Sequence, residues 1–184
     1  MKNLKKYRVY FFLFIILTSI VAAKLLIKPS EIIIKDNTFG RITPGETSQK
    51  SLEKTLGQPI KKDVSDQNEV YYYQTSKPNW ANLFYIDNEQ KKVSLIKNHD
   101  VDPSENYQSF IARFGPADHE LYGTDFINGF SLHAFLEKGV AFLANATSGS
   151  ILEIWYFTPT DIDQFLLAYG QGYSLTPPDQ SNQF

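Results

Sequence analysis

The 184-residue chain contains no cysteine, and that absence alone excludes several classes of protein. A disulfide scaffold, thiolate zinc sites, iron–sulfur clusters, a cysteine nucleophile and lipid attachment at cysteine all fall away. Histidine is scarce. His99, His119 and His133 are the only three, spaced too widely for a helical pair of metal ligands, and each reads as a surface or strand-face residue. Neither a Gly-x-Ser-x-Gly elbow nor a phosphate loop occurs. Asp100/Asp102 and Asp161/Asp163 stand two apart as in calcium loops. They lack the rest of a 12-residue ligand pattern and read as acids near helix starts. Asn145-Ala146-Thr147 fits a glycosylation sequon in what reads as a tight turn. No cofactor is expected.

Acid is also missing from one end. Residues 1–28 hold six of the 18 bases (Lys2, Lys5, Lys6, Arg8, Lys24, Lys28) and none of the 20 acids. The remaining 156 residues therefore carry 12 bases against 20 acids, a net −8. An acidic body excludes nucleic acid as a partner, because phosphate binding runs on clustered cations.

What the leader does have is apolar length. Val9–Ala23 is uncharged, and 15 helical residues span only about 22 Å of a roughly 30 Å hydrocarbon core. Extending to Ile27, with Lys24 reaching toward the interface, gives about 28 Å. Residues 1–28 thus read as a signal-anchor spanning at 9–27, with the body outside the cytoplasm by the positive flank. The alternative is a secreted chain cleaved after Ala23, where Val21-Ala22-Ala23 supplies small residues. Residues 29–39 read as a linker.

The body repeats itself. At a shift of 58 residues, Ser51–Gly57 lies over Ser109–Gly115, Leu83–Asp87 over Ala141–Asn145, and Val93–Ile96 over Ile151–Ile154. Pro44 and Pro103 open the two segments, while Pro59 and Pro116 follow the matched glycines. The expectation is an α+β fold of two tandem units, 40–98 and 99–158. Each places a short helix before an antiparallel β-meander. Thr47 or Ser48, and Ser104, are the candidate N-caps. The strands read as Glu69–Thr75, Asn82–Asp87 and Lys92–Lys97, then Gly129–Leu136, Val140–Asn145 and Ile151–Phe157. A terminal helix is expected within 159–173, capped near Asp161 and striped by Phe165, Leu166 and Tyr169. Residues 174–184 read as a disordered tail.

The stretch Ile42-Thr43-Pro44-Gly45-Glu46-Thr47, with Leu52 and then Leu56-Gly57-Gln58-Pro59, resembles the opening of the small protein A / outer membrane lipoprotein A family. It is also similar to the wider β-lactamase-inhibitor-protein-like fold. The second unit keeps Pro103, the helix and Phe114-Gly115-Pro116. That resemblance implies small helices on one face of an antiparallel sheet, tandem units and a place in the cell envelope. The acylated cysteine of the lipoproteins and the disulfides of the tandem inhibitors have no counterpart here.

Strand alternation sorts the aromatics. Leu132/Ala134/Leu136 and Leu152/Ile154/Tyr156 form apolar faces expected beneath the helices. The opposite face would then hold Tyr71, Tyr73, His133, Phe135, Glu153 and Trp155. If left open, such a face suits recognition of another envelope protein; if closed, it is covered by the second unit, the final helix or the Trp80 loop. The functional expectation is a non-catalytic, membrane-anchored binding or scaffolding module. Its rival is an enzyme or solute-binding domain using His133 and nearby acids in a pocket between the units.

Overall fold

A computed structural model describes residues 36–65 and 68–178. The expected membrane span at 9–27, most of the linker and residues 179–184 lie outside them. Among the described residues no helix is long and apolar enough to cross a membrane.

Helix α1 (Gln49–Leu56) starts where Ser48 takes an extended backbone and accepts the Ser51 amide at 3.2 Å. Helix α2 (Tyr107–Phe114) starts at Asn106 rather than the expected Ser104. Asn106 and Ser109 bond each other's backbone amides reciprocally, whereas Ser104 is held in a turn by Asp102, 2.8 Å from its amide. Both helices end alike. Gly57 and Gly115 share φ 84° with ψ −164° and −167°, and each amide closes onto the carbonyl four residues back at 2.9 Å.

Only glycine occupies that backbone region without strain. A Cβ would meet nothing within 4 Å at either position, so conformation alone sets the cost of adding one. Gly57→Ala and Gly115→Ala are each expected to lower stability by about 1–3 kcal/mol and by equal amounts. Denaturant unfolding would check this; a neutral alanine at either position contradicts the shared geometry.

Eight strands follow, four behind each helix: β1 (Lys61–Val64), β2 (Asn68–Gln74), β3 (Ala81–Asp87) and β4 (Val93–Asn98), then β5 (His119–Leu121), β6 (Ser131–Phe135), β7 (Val140–Ala144) and β8 (Ile151–Phe157). They form one antiparallel sheet in the order β1-β2-β3-β4-β8-β7-β6-β5. The fold is α+β, built on this single antiparallel sheet and three helices. β1 and β5 lie outside the expected strands. They are the two edges, short and polar, with no alternating apolar residues to announce them.

A closing helix, α3 (Ile162–Ala168), is capped by Asp161, whose carboxylate accepts the Gln164 amide at 2.8 Å. The expected linker and tail both reach into the body. The buried Asn37 donates to the Phe157 carbonyl at 2.9 Å, and Ser174 pairs with Tyr122 through two backbone bonds.

Three apolar clusters hold the layers together. On one sheet face, Leu52 of α1 packs on Tyr71, Tyr73, Phe84 and Ile96, and Phe110 of α2 packs on Phe135, Phe142 and Ile154. On the opposite face, Phe165 of α3 packs on Leu132, Ala134, Trp155 and Phe157. The second half is therefore three layers deep, not two. All five residues of both β6 and β7 are buried, which erases the alternation a half-exposed strand would show.

Candidate functional site

The candidate binding face is mostly interior. Tyr71, Tyr73, His133 and Phe135 lie under α1 and α2, and Trp155 lies under α3 on the other side of the sheet. Glu153 shares the Trp155 side. The six side chains thus do not form one surface. The source of the error is strand β6. Its wholly apolar side, Leu132/Ala134/Leu136, is expected under the repeat helices but meets α3 instead. The mixed side Ser131/His133/Phe135 takes the place under α2, and choosing the wrong side reverses every residue on the strand.

His133 is a satisfied core histidine, only 3% exposed. The Ser131 hydroxyl gives its proton to Glu120 at 2.6 Å, so His133 Nε2–H must donate to Ser131 at 3.1 Å. The ring is closed in by Phe142 and Tyr107, 5.3 and 4.9 Å away. Burial lowers its pKa, against the pull of Glu120, and keeps it neutral.

A charged cluster lies on the α3 side, where register brings distant residues together. Leu83 pairs with Lys97 and Lys97 with Trp155 across β3, β4 and β8. Just past β4, His99 Nδ1 meets the Ala81 carbonyl at 2.6 Å and Nε2 meets Glu153 Oε2 at 2.7 Å. A carbonyl can only accept. Burial on its own would raise the Glu153 pKa, but bonds to His99 and Trp155 and the Lys97 charge hold it below the ordinary value, so this carboxylate also only accepts. Both ring nitrogens must therefore carry protons, and His99 is an imidazolium. Its pKa is raised accordingly: desolvation opposes the charge, and the bonds to Glu153 and Ala81 outweigh it.

The other Glu153 oxygen takes the Trp155 indole N–H at 2.8 Å. Lys97 Nζ stands 3.7 Å from the Trp155 ring centroid and 5.9 Å from that of Tyr85. Burial depresses the Lys97 pKa, with Glu153 and Asp125 acting against it. Trp80, 45% exposed, lies edge-on to His99 at 5.4 Å. Beside Lys97 a cavity of about 230 Å³ opens among Asn68, Tyr85, Ser94, Tyr169 and Gln171.

The sequence-predicted site includes Glu153 and Trp155 but not Lys97, and His99 reads there only as a surface or strand-face residue. One signal was available. Leu95, Lys97 and His99 share strand parity, so two cations follow a core leucine on the same side. Among the described residues, no three His, Asp or Glu side chains converge as metal ligands.

No protein-family model and no curated protein matches the sequence. Two solved structures are similar to it. One is an extracellular protein containing an SCP domain from Bacillus anthracis, at TM-score 0.50 and 14% identity. The match takes in 83% of this chain and 56% of that one, so this chain spans little more than half its neighbour's length. That likeness is one of fold. The other is a DUF4309 family protein from Bacillus subtilis, at TM-score 0.48 and 9% identity, over 65% of this chain and 83% of that one.

Proposed function

We propose that this protein is a non-catalytic binding module of the cell envelope, anchored through residues 9–27, with its body outside the cytoplasm. Its two tandem units, 40–98 and 99–158, present one sheet face to another envelope protein. The observation that carries this reading is the side of the first meander opposite α1. There Tyr72 and Leu83 stay half-exposed and belong to none of the apolar clusters, and Trp80 stands out at the end of the row. Lys61 lies over the Tyr72 ring at 4.8 Å and Lys97 continues the line. Aromatic residues interleaved with cations are the side chains that recognition surfaces favour. The binding face thus moves from Tyr71 and Tyr73 to the residues of opposite parity. The extracellular neighbour and the basic, acid-free leader both support the location. Kinship with the small protein A and inhibitor-protein folds rests on the Ile42–Pro59 motif.

A photoreactive phenylalanine analogue in place of Tyr72 or Leu83, in the full chain in its native membrane, tests this. Each should give an adduct of one defined mass. The same analogue at Leu167, on the exposed side of α3, should give none. Trp80→Ala should weaken the adduct about 30-fold, the equivalent of about 2 kcal/mol at a hot spot, without changing the melting temperature. Equal labelling at all three positions, or none, overturns the binding reading. An adduct whose chain lacks residues 1–23 overturns retention of the anchor.

A further inference from the structure

A second cavity, of about 340 Å³, opens at the C-terminal end of α1, beside the last pairs of the β2–β3 ladder, Tyr73↔Asn82 and Gln74↔Ala81. Phe39, Leu56, Ile60, Tyr73 and Phe84 supply its apolar lining. Contacts within the fold hold that lining in place. Tyr73 and Phe39 each stand edge-on to Phe84, at 5.2 and 5.8 Å. The Tyr73 hydroxyl donates to the Gly57 carbonyl at 3.1 Å and so fixes the turn that leads from α1 to Ile60. Leu56 and Ile60 nonetheless stay exposed, Ile60 by 62%.

No lining residue carries a charge. Burial pushes the Tyr73 hydroxyl up to about 12, so it too stays neutral. Glu53 and Lys62, which act on that hydroxyl from outside the cavity, are paired with each other at 2.9 Å. The polar part of the lining is the carboxamides of Gln58, Gln74 and Asn82. Asn82 is the fixed one. It is 7% exposed, and its Oδ1 accepts the backbone amides of His99 and Asp100 at 2.8 and 3.3 Å. Two backbone donors settle which limb of the carboxamide is the oxygen. The Nδ2 limb makes no hydrogen bond among the described residues and is not sealed from solvent, so it meets the cavity as a donor only. An ion gains nothing from such a lining, because it would leave water for a site that holds no opposite charge. An apolar body gains by covering Leu56 and Ile60, and a single acceptor gains the Asn82 N–H.

We propose that this cavity binds a small uncharged molecule with an aliphatic or aromatic body and one neutral carbonyl, which accepts from Asn82 Nδ2. Its volume falls at the low end of the roughly 300–1,000 Å³ of small-molecule sites. The site lies on the α1 side of the meander, away from the Tyr72 and Leu83 row, and stands whether or not that row binds a protein.

Four probes of nearly one shape test the assignment: acetophenone (neutral carbonyl), cumene (no acceptor), benzoate (anion) and benzamidinium (cation). The full chain in lipid nanodiscs, carrying isotope-labelled asparagine, is titrated with each while NMR follows the Asn82 side-chain N–H pair. Acetophenone is expected to shift that pair saturably. It should bind several-fold more tightly than cumene and about 10-fold more tightly than either ion. Ile60→Glu, at an exposed position that leaves the core intact, should weaken acetophenone several-fold. Leu167→Glu, exposed on α3, should leave it unchanged. An ion or cumene binding as tightly as acetophenone, a response that never saturates, or undiminished binding to Ile60→Glu overturns the proposal. N-acetylphenylalanine amide binding about 10-fold more tightly than acetophenone assigns the cavity to a peptide side chain and overturns it as well.

Discussion

Trp155→Ala is expected to cost about 3–5 kcal/mol, which for a body of this size lowers the melting temperature by on the order of 10 °C. The ring is 0% exposed and packs 6.2 Å from Phe165 and 5.8 Å from Tyr173, centroid to centroid. Truncation removes those contacts and leaves a void that α3 can close only by leaving Phe157 as well. It also strips Glu153 of one donor and removes the surface on which Lys97 rests. Trp80→Ala is the control, and its cost should stay within about 1 kcal/mol because nearly half of that ring is already in water. Urea or thermal unfolding of both variants makes the comparison. If Trp155→Ala melts with the parent, the indole is not enclosed and the α3 layer is wrongly placed.

Glu153→Gln is expected to cost about 3 kcal/mol and, more tellingly, to change how stability depends on pH. The side chains of Glu153 and His99 are 12% and 16% exposed, and removing one charge of such a pair leaves its partner buried without compensation. Here two cations would be left, since Lys97 faces the same carboxylate. The sign follows from the two shifts. The His99 pKa is raised in the fold, so its contribution is complete below the ordinary 6.5 and is lost as pH rises through the raised value. The Glu153 pKa is lowered, so its contribution is complete above the ordinary 4.5 and is lost as pH falls through the lowered value. Parent and variant should therefore differ most between about pH 4.5 and 6.5, and the gap should narrow on either side. The His99 ring proton, followed by NMR, should titrate above 6.5 in the parent and below it in the variant. A gap that does not vary with pH rules out the ion pair.

The elements that announce themselves locally could be read from the sequence. Ser48 and Asp161 as caps, Gly57 and Gly115 as stops, and the alternation of β3 all encode their structure within a few residues. The edge strands could not be read that way, because Lys61–Val64 and His119–Leu121 are strands only through the neighbour each pairs with. The sides of β6 were ambiguous for a related reason. An apolar row says that something covers it, without saying whether that is α2 or α3, and a serine, a histidine and a phenylalanine in alternation look from sequence like a row half in water. Pairing His99 with Glu153 was beyond local reading altogether. The two stand 54 residues apart and meet only because β4 lies beside β8.

That seam has a consequence for how fast the protein forms. Within each half, successive strands are joined by short connections and can zip together as soon as their turns form. The β4–β8 pairing, from Leu95↔Phe157 to Asn98↔Ile154, must instead close a loop of about 60 residues, and the entropy of doing so has to be met before any contact rewards it. The half-meanders are thus the fast steps and the seam the slow one. Until it closes, the Lys97 ammonium has no indole, His99 has no carboxylate, and the outer edges of β4 and β8 are free to pair with another chain. The charged cluster is assembled by the last long-range step of folding, and the same step hides the two strand edges most apt to aggregate.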